Sequence, residues 1–70
     1  SIAAPMPGLI SSYHVALGEK VQEGDPVIVL ESMKMENTLK APIGGIVKTL
    51  PFEIGVAVDK DDILAIIVPK

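Results

Sequence analysis

The stretch Glu31–Pro42, ESMKMENTLKAP, lies near the middle of a 70-residue chain, and its reading as helix or hairpin decides the fold. Met, Lys, Glu and Leu are good helix formers, so local propensity alone allows two turns of helix there. The segment carries no three-to-four apolar period, however, and Pro42 with Gly44-Gly45 closes it. The reading adopted is a β-hairpin with its tip at Met33-Lys34. A tight turn of the primed type there needs positive φ without glycine, at about 1 kcal/mol per strained residue. Such strain persists where function demands that side chain at that tip.

Working outward, the chain repeats itself. Ala4-Pro5 falls on Ala41-Pro42, an offset of 37, and the same offset pairs Gly8 with Gly45, Gly18 with Gly55, Val21 with Val58 and Asp25 with Asp62. The apolar pattern follows: Leu9-Ile10 with Ile46-Val47, Val15 and Leu17 with Phe52 and Ile54, Val29-Leu30 with Ile66-Ile67. Turn residues and apolar positions agree, which marks a duplicated half-domain, about 4–33 and 41–70, within a single domain 1–70. Each half holds two β-rich runs bounded by Gly, Pro or Asp. With a short strand at each Ala-Pro junction this makes an all-β sandwich of about eight strands. A pseudo-twofold axis relating the halves would place Lys34 at one end and Ser1 and Lys70 at the other. Val21 and Val58, and likewise Leu30 and Ile67, are expected at equivalent places in one core.

Composition narrows the function. Without cysteine or a metal-ligand cluster, neither disulfides nor zinc can staple so small a domain. A net charge of −3 and a pI near 4.8 argue against nucleic acid. The longest apolar runs, Val27 to Leu30 and Ile63 to Val68, are too short for a membrane span.

The residues APMPG, then GEKVQEGDPVIVLESMKMEN, then KAPIGGIVK resemble the biotinyl domain of biotin-dependent carboxylases and decarboxylases, the biotin carboxyl carrier of the biotinyl/lipoyl family. The likeness runs in order over essentially the whole chain. It implies a flattened barrel of two four-stranded antiparallel sheets, with biotin joined by an amide bond to Lys34 at a hairpin tip. It also implies a swinging-arm carrier rather than an autonomous enzyme, serving biotin carboxylase and carboxyltransferase sites after modification by a biotin protein ligase. Lipoyl-bearing relatives usually have Asp-Lys-Ala around the lysine, so Met33 and Met35 favour biotin. The chain departs from the family pattern at Ser32, where alanine is most common, and at Asp61, where the first half has Gly24. A less regular turn is expected at Asp61. The span Val15 to Val21 is no longer than its partner Phe52 to Val58, which leaves no room for the thumb loop of some bacterial members.

Each singled-out residue has a plainer reading. A lone lysine is usually a solvated charge, but the duplicated frame and two flanking methionines favour Lys34 as the modified amine. Its flexible four-carbon stem suits a carrier. Met33 and Met35 could be core filler; beside a turn they are better read as surfaces for ligase or partner recognition, with Glu36 a further candidate. Glu31 reads as a solvated carboxylate. His14 has no second histidine or cysteine to complete a catalytic set, so no catalytic residue is assigned, and no metal ligand. A lipoyl carrier and an unmodified structural or adaptor sandwich remain the alternatives. The cytoplasm, or an organelle lumen such as the mitochondrion, is the expected compartment, with no membrane insertion.

Overall fold

A computed structural model describes residues 1–69. They form eight strands: β1 (Ile2–Ala3), β2 (Gly8–Tyr13), β3 (Lys20–Val21), β4 (Pro26–Ser32), β5 (Met35–Lys40), β6 (Gly45–Thr49), β7 (Ala57–Val58) and β8 (Ile63–Val68). Two four-stranded antiparallel sheets result, ordered β1-β8-β6-β3 and β5-β4-β2-β7. The segment Glu31–Pro42 is the β4–β5 hairpin, so the helical alternative does not form. Of the edge strands, β1, β3 and β7 have two residues each, and the longer β5 turns Glu36, Thr38 and Lys40 to solvent. Short or charged edges offer little to a foreign strand.

The offset of 37 carries one sheet onto the other: β5, β4, β2 and β7 map onto β1, β8, β6 and β3 in that spatial order. The connecting hydrogen bonds are duplicated as well. Ala4 N–H donates to the Asp62 carbonyl and Ala41 N–H to that of Asp25, at 2.9 and 2.8 Å. Gly18 N–H reaches the Val47 carbonyl and Gly55 N–H that of Ile10, at 2.8 and 2.7 Å. In the turns, Gln22 N–H donates to the Asp25 carboxylate and Asp59 N–H to the Asp62 carboxylate, both at 2.8 Å. These aspartates satisfy backbone donors that the short strands leave over.

Ile10, Ile28, Leu30, Val47 and Leu64 are fully buried between the sheets. Val21 and Val58, with Leu30 and Ile67, lie in the same core cluster, as the repeat requires. No polar side chain is buried among the described residues. Apolar periodicity misleads at three places. Leu17 and Ile54, counted as matching apolar positions, are both 64% exposed. They lie just before the positive-φ residues Gly18 and Gly55, in connections that pass over the surface between sheets. Val29 is buried while its partner Ile66 is exposed on β8. Val27 is buried beside Ile28 although strand alternation puts them on opposite faces. A register shift between Pro26 and Ile28 explains this, since a bulge re-aims a side chain. The two Ala-Pro junctions also differ: a two-residue strand precedes Ala4, but the six-residue β5 precedes Ala41.

Contrary to expectation, the turn at Asp61 is not less regular. Asp61 takes φ 73°, close to the 90° of Gly24, and its N–H donates to the Ala4 carbonyl at 2.8 Å as that of Gly24 does to Ala41. Aspartate tolerates the left-handed region better than most residues, which lets the turn survive without glycine.

The register orients the ends. Val68 pairs with Ile46, and Pro26 with Lys40 at the base of the β4–β5 hairpin. Gly44, one residue before β6, faces the Val21 carbonyl, whose oxygen would lie 3.6 Å from a Cβ at that position, next to the Gln22–Asp25 turn that bonds to Ala41. The end of β8 and the hairpin base therefore share one end of the sandwich, and the Met33-Lys34 tip has the other. Ile2 pairs with Ala65, so Ser1 continues towards the base end. Lys70, also expected there, lies outside the described residues.

Candidate functional site

The tip is built by a two-residue turn. Ser32 pairs with Met35 and Glu31 with Glu36, leaving Met33 and Lys34 as the only residues between the strands. Their φ values of 52° and 66° make this a type I′ turn, whose twist matches the flanking strands. Asn-Gly is the usual solution; here two bulky side chains accept the left-handed region instead. Lys34 is exposed, Met33 is 92% exposed and Met35 66%. The reading of the methionines as core filler therefore fails. Both thioethers flank the amine in solvent.

The hairpin is held to the body below its tip. Ser32 Oγ donates to the Pro7 carbonyl at 2.8 Å, tying the last residue of β4 to the loop before β2. The sequence marks Ser32 only as a departure from the family's usual alanine; its repeat partner is Pro69, so the duplication carries no signal for this bond. Ser11 Oγ donates a long 3.4 Å hydrogen bond to Glu36 Oε2. Glu36 and Glu31 are exposed and directly opposite each other, a like-charge pair that raises the negative potential beside the lysine. Asn37 Nδ2 donates to Met6 Sδ at 3.9 Å, and Met6 packs on the core edge.

An open groove of about 460 Å³ runs alongside the tip. Lys34 and Met33 form one side, with Glu31, Leu9 and Asp59 about it. Gly8 pairs with Val58 and Leu9 with Ala57, which brings β7 to the wall opposite the hairpin. Nothing in the repeat or the motif pointed to β7 as a neighbour of Lys34.

His14 is exposed just past the end of β2, with its backbone N–H donating to the Val27 carbonyl at 2.8 Å. Tyr13, next to it, donates its hydroxyl to the Phe52 carbonyl at 2.8 Å, and burial pushes the phenol above its ordinary value. Neither residue lines the groove. What the tip offers chemically is a primary amine on a long stem, held clear of a rigid body. Such an amine can be acylated with loss of charge and then reach surfaces that the body cannot.

The comparisons agree with this geometry. The family described as "Biotin-requiring enzyme" matches residues 1–67. The methylcrotonoyl-CoA carboxylase subunit alpha, mitochondrial, of Dictyostelium discoideum is 41% identical over 68 residues, covering 97% of this chain and 10% of that protein. The biotin carboxyl carrier protein of acetyl-CoA carboxylase of Solanum lycopersicum is 52% identical over 58 residues, 83% of each chain. Among solved structures, the Kluyveromyces lactis urea carboxylase superposes with a TM-score of 0.89 at 32% identity, covering 94% of this chain and 6% of that one. The chain thus spans about a tenth of the first relative and most of the second.

Proposed function

We infer, since this chain belongs to the family of biotin-requiring enzymes and is a biotin carrier domain, that Lys34 is the residue whose amine holds biotin. The observation that carries the assignment is the exposed Met33-Lys34 type I′ turn, in which a lysine occupies a strained position that glycine would fill more easily. Bound there, biotin supplies a ureido nitrogen that can take up and give back a carboxyl group. The domain's part is to fix the stem and present it. Tethering of this kind holds a group near its target sites at effective concentrations of roughly millimolar. The sites we propose are those of a biotin carboxylase and a carboxyltransferase, and the modifying enzyme a biotin protein ligase. The carboxylase names of the relatives support this reading. In this view Met33, Met35 and Glu36 are read by those partners, and chemistry takes place in the partners' active sites.

The test is co-expression with a biotin ligase, followed by intact mass and peptide mapping. A single biotin at Lys34, absent in Lys34→Ala, is expected. A label on Lys20, Lys40 or Lys48 contradicts the assignment. A mass gain with lipoate instead of biotin would make the domain a lipoyl carrier, and no gain with either would make it an adaptor.

A further inference from the structure

We propose that the groove beside the tip is a resting seat for the biotinyl group of Lys34, one that takes the uncharged ring and turns away its carboxylated form. The proposal rests on the assignment of Lys34 above. Lys34 itself lines the groove, so a group on its amine is tethered beside it. The volume of about 460 Å³ falls within the range of small-molecule clefts. Leu9, 44% exposed, offers an apolar wall for methylenes, and Ala57 leaves the opposite side shallow. Gly8 lets β2 lie close against β4 beneath the groove: a Cβ there would lie 2.5 Å from the Glu31 carbonyl oxygen.

Charge selects the occupant. Glu31 and Asp59 are the carboxylates of the groove, and Lys34 is its sole cation among the described residues. An amide bond removes that positive charge. The modified groove then holds two carboxylate acceptors and no cation, which suits the two N–H donors of a ureido ring. Carboxylation replaces one of those donors with an anion, which the same two carboxylates repel.

The duplication provides an internal control. Shifted by 37, Glu31, Ala57 and Asp59 become Val68, Lys20 and Gln22, while Gly8 and Val58 become Gly45 and Val21. The repeat keeps Gly8 and Val58, whereas the two carboxylates are lost at the other end and a lysine stands in place of Ala57. The acidic groove is therefore specific to the end that carries Lys34, rather than a by-product of the fold.

The experiment compares isotope-labelled apo and biotinylated protein by NMR, with modification confirmed by mass and peptide mapping. Chemical shifts at Leu9, Ala57, Val58 and Asp59 should change, with cross-relaxation between biotin methylenes and the Leu9 methyls. Adding a biotin carboxylase with ATP and bicarbonate should return those shifts towards their apo positions. Capture by streptavidin should be faster for Leu9→Ser than for the native chain, by about two- to five-fold for a seat half to four-fifths occupied. Changes confined to Ser32–Glu36, or equal capture rates, overturn the seat. Shifts that persist on carboxylation overturn its charge selectivity. Failure to biotinylate at Lys34 overturns the assignment beneath it.

Discussion

Gly24 and Asp61 hold the same place in two turns with the same hydrogen bonds, and both have left-handed backbone, with φ of 90° and 73°. One half of the molecule meets that demand with the residue that has no Cβ, the other with an aspartate. Replacing Asp61 with Gly should stabilise the domain by up to about 1 kcal/mol, with the greater unfolded-chain entropy of glycine taking back part of the gain. Gly24→Ala should cost about 1–2 kcal/mol. Denaturant unfolding of the two variants reads both signs, and equal effects would show that the turns are not equivalent.

The paired core positions permit a matched test. Val21 and Val58 are 2% and 4% exposed in one cluster, so Val21→Ala and Val58→Ala should each cost about 1–3 kcal/mol. A core of this size supplies only about 3–5 kcal/mol, so the double variant is expected to be largely unfolded in circular dichroism. A native-like melting point for either single change would contradict a shared core.

The exposed methionines should matter to partners rather than to folding. Changing Met33 to Asp and Met35 to Ala should slow biotinylation while altering stability by less than about 1 kcal/mol. Surface thioethers are adaptable apolar contacts for another protein. Unchanged modification kinetics would mean that the ligase reads only the backbone of the hairpin.

Tyr13 predicts an alkaline limit. Burial raises its phenol above the ordinary 10.0, so the folded state favours the protonated form. Its contribution to stability is full below the unfolded-state value and is lost as pH rises through the higher folded-state value. Tyr13→Phe should flatten that alkaline decline and, by removing the hydrogen bond to Phe52, cost about 1 kcal/mol at neutral pH. Tyr13 is the only tyrosine, so an absorbance titration reads it directly.

Much of this architecture was legible because the duplication is written in residues that cannot easily be exchanged. The glycines at 8 and 45 sit where a Cβ would collide with a facing carbonyl, and Asp25 and Asp62 cap turns through their carboxylates. Positions of that kind leave the same residue at the same spacing. The hairpin was legible for a related reason, since Pro42 and the following glycines stop a helix. Burial on the outer faces was not. Leu17 and Val15 look alike in a one-dimensional pattern, and only the path of the connection over the sandwich exposes Leu17. Val27 turns inward through a bulge that strand alternation does not encode. The groove was hidden because Ala57 and Asp59 reach Lys34 through β2–β7 pairing, across long sequence separations.

In the carrier role proposed for Lys34, the placement of the tip and the base at opposite ends would make the whole domain a crank. Its principal extents are 35 × 19 × 18 Å. Four strands spaced about 4.8 Å apart, in sheets about 10 Å from each other, account for the two short dimensions, so the long one runs along the strands. A pivot near the base would carry the Lys34 Cα around a circle whose radius approaches the 35 Å length, before the lysine stem adds its own reach. The barrel therefore contributes more travel than the side chain it displays. Stiffness in the strands, rather than slackness at the tip, sets how far apart two sites served by one amine can stand.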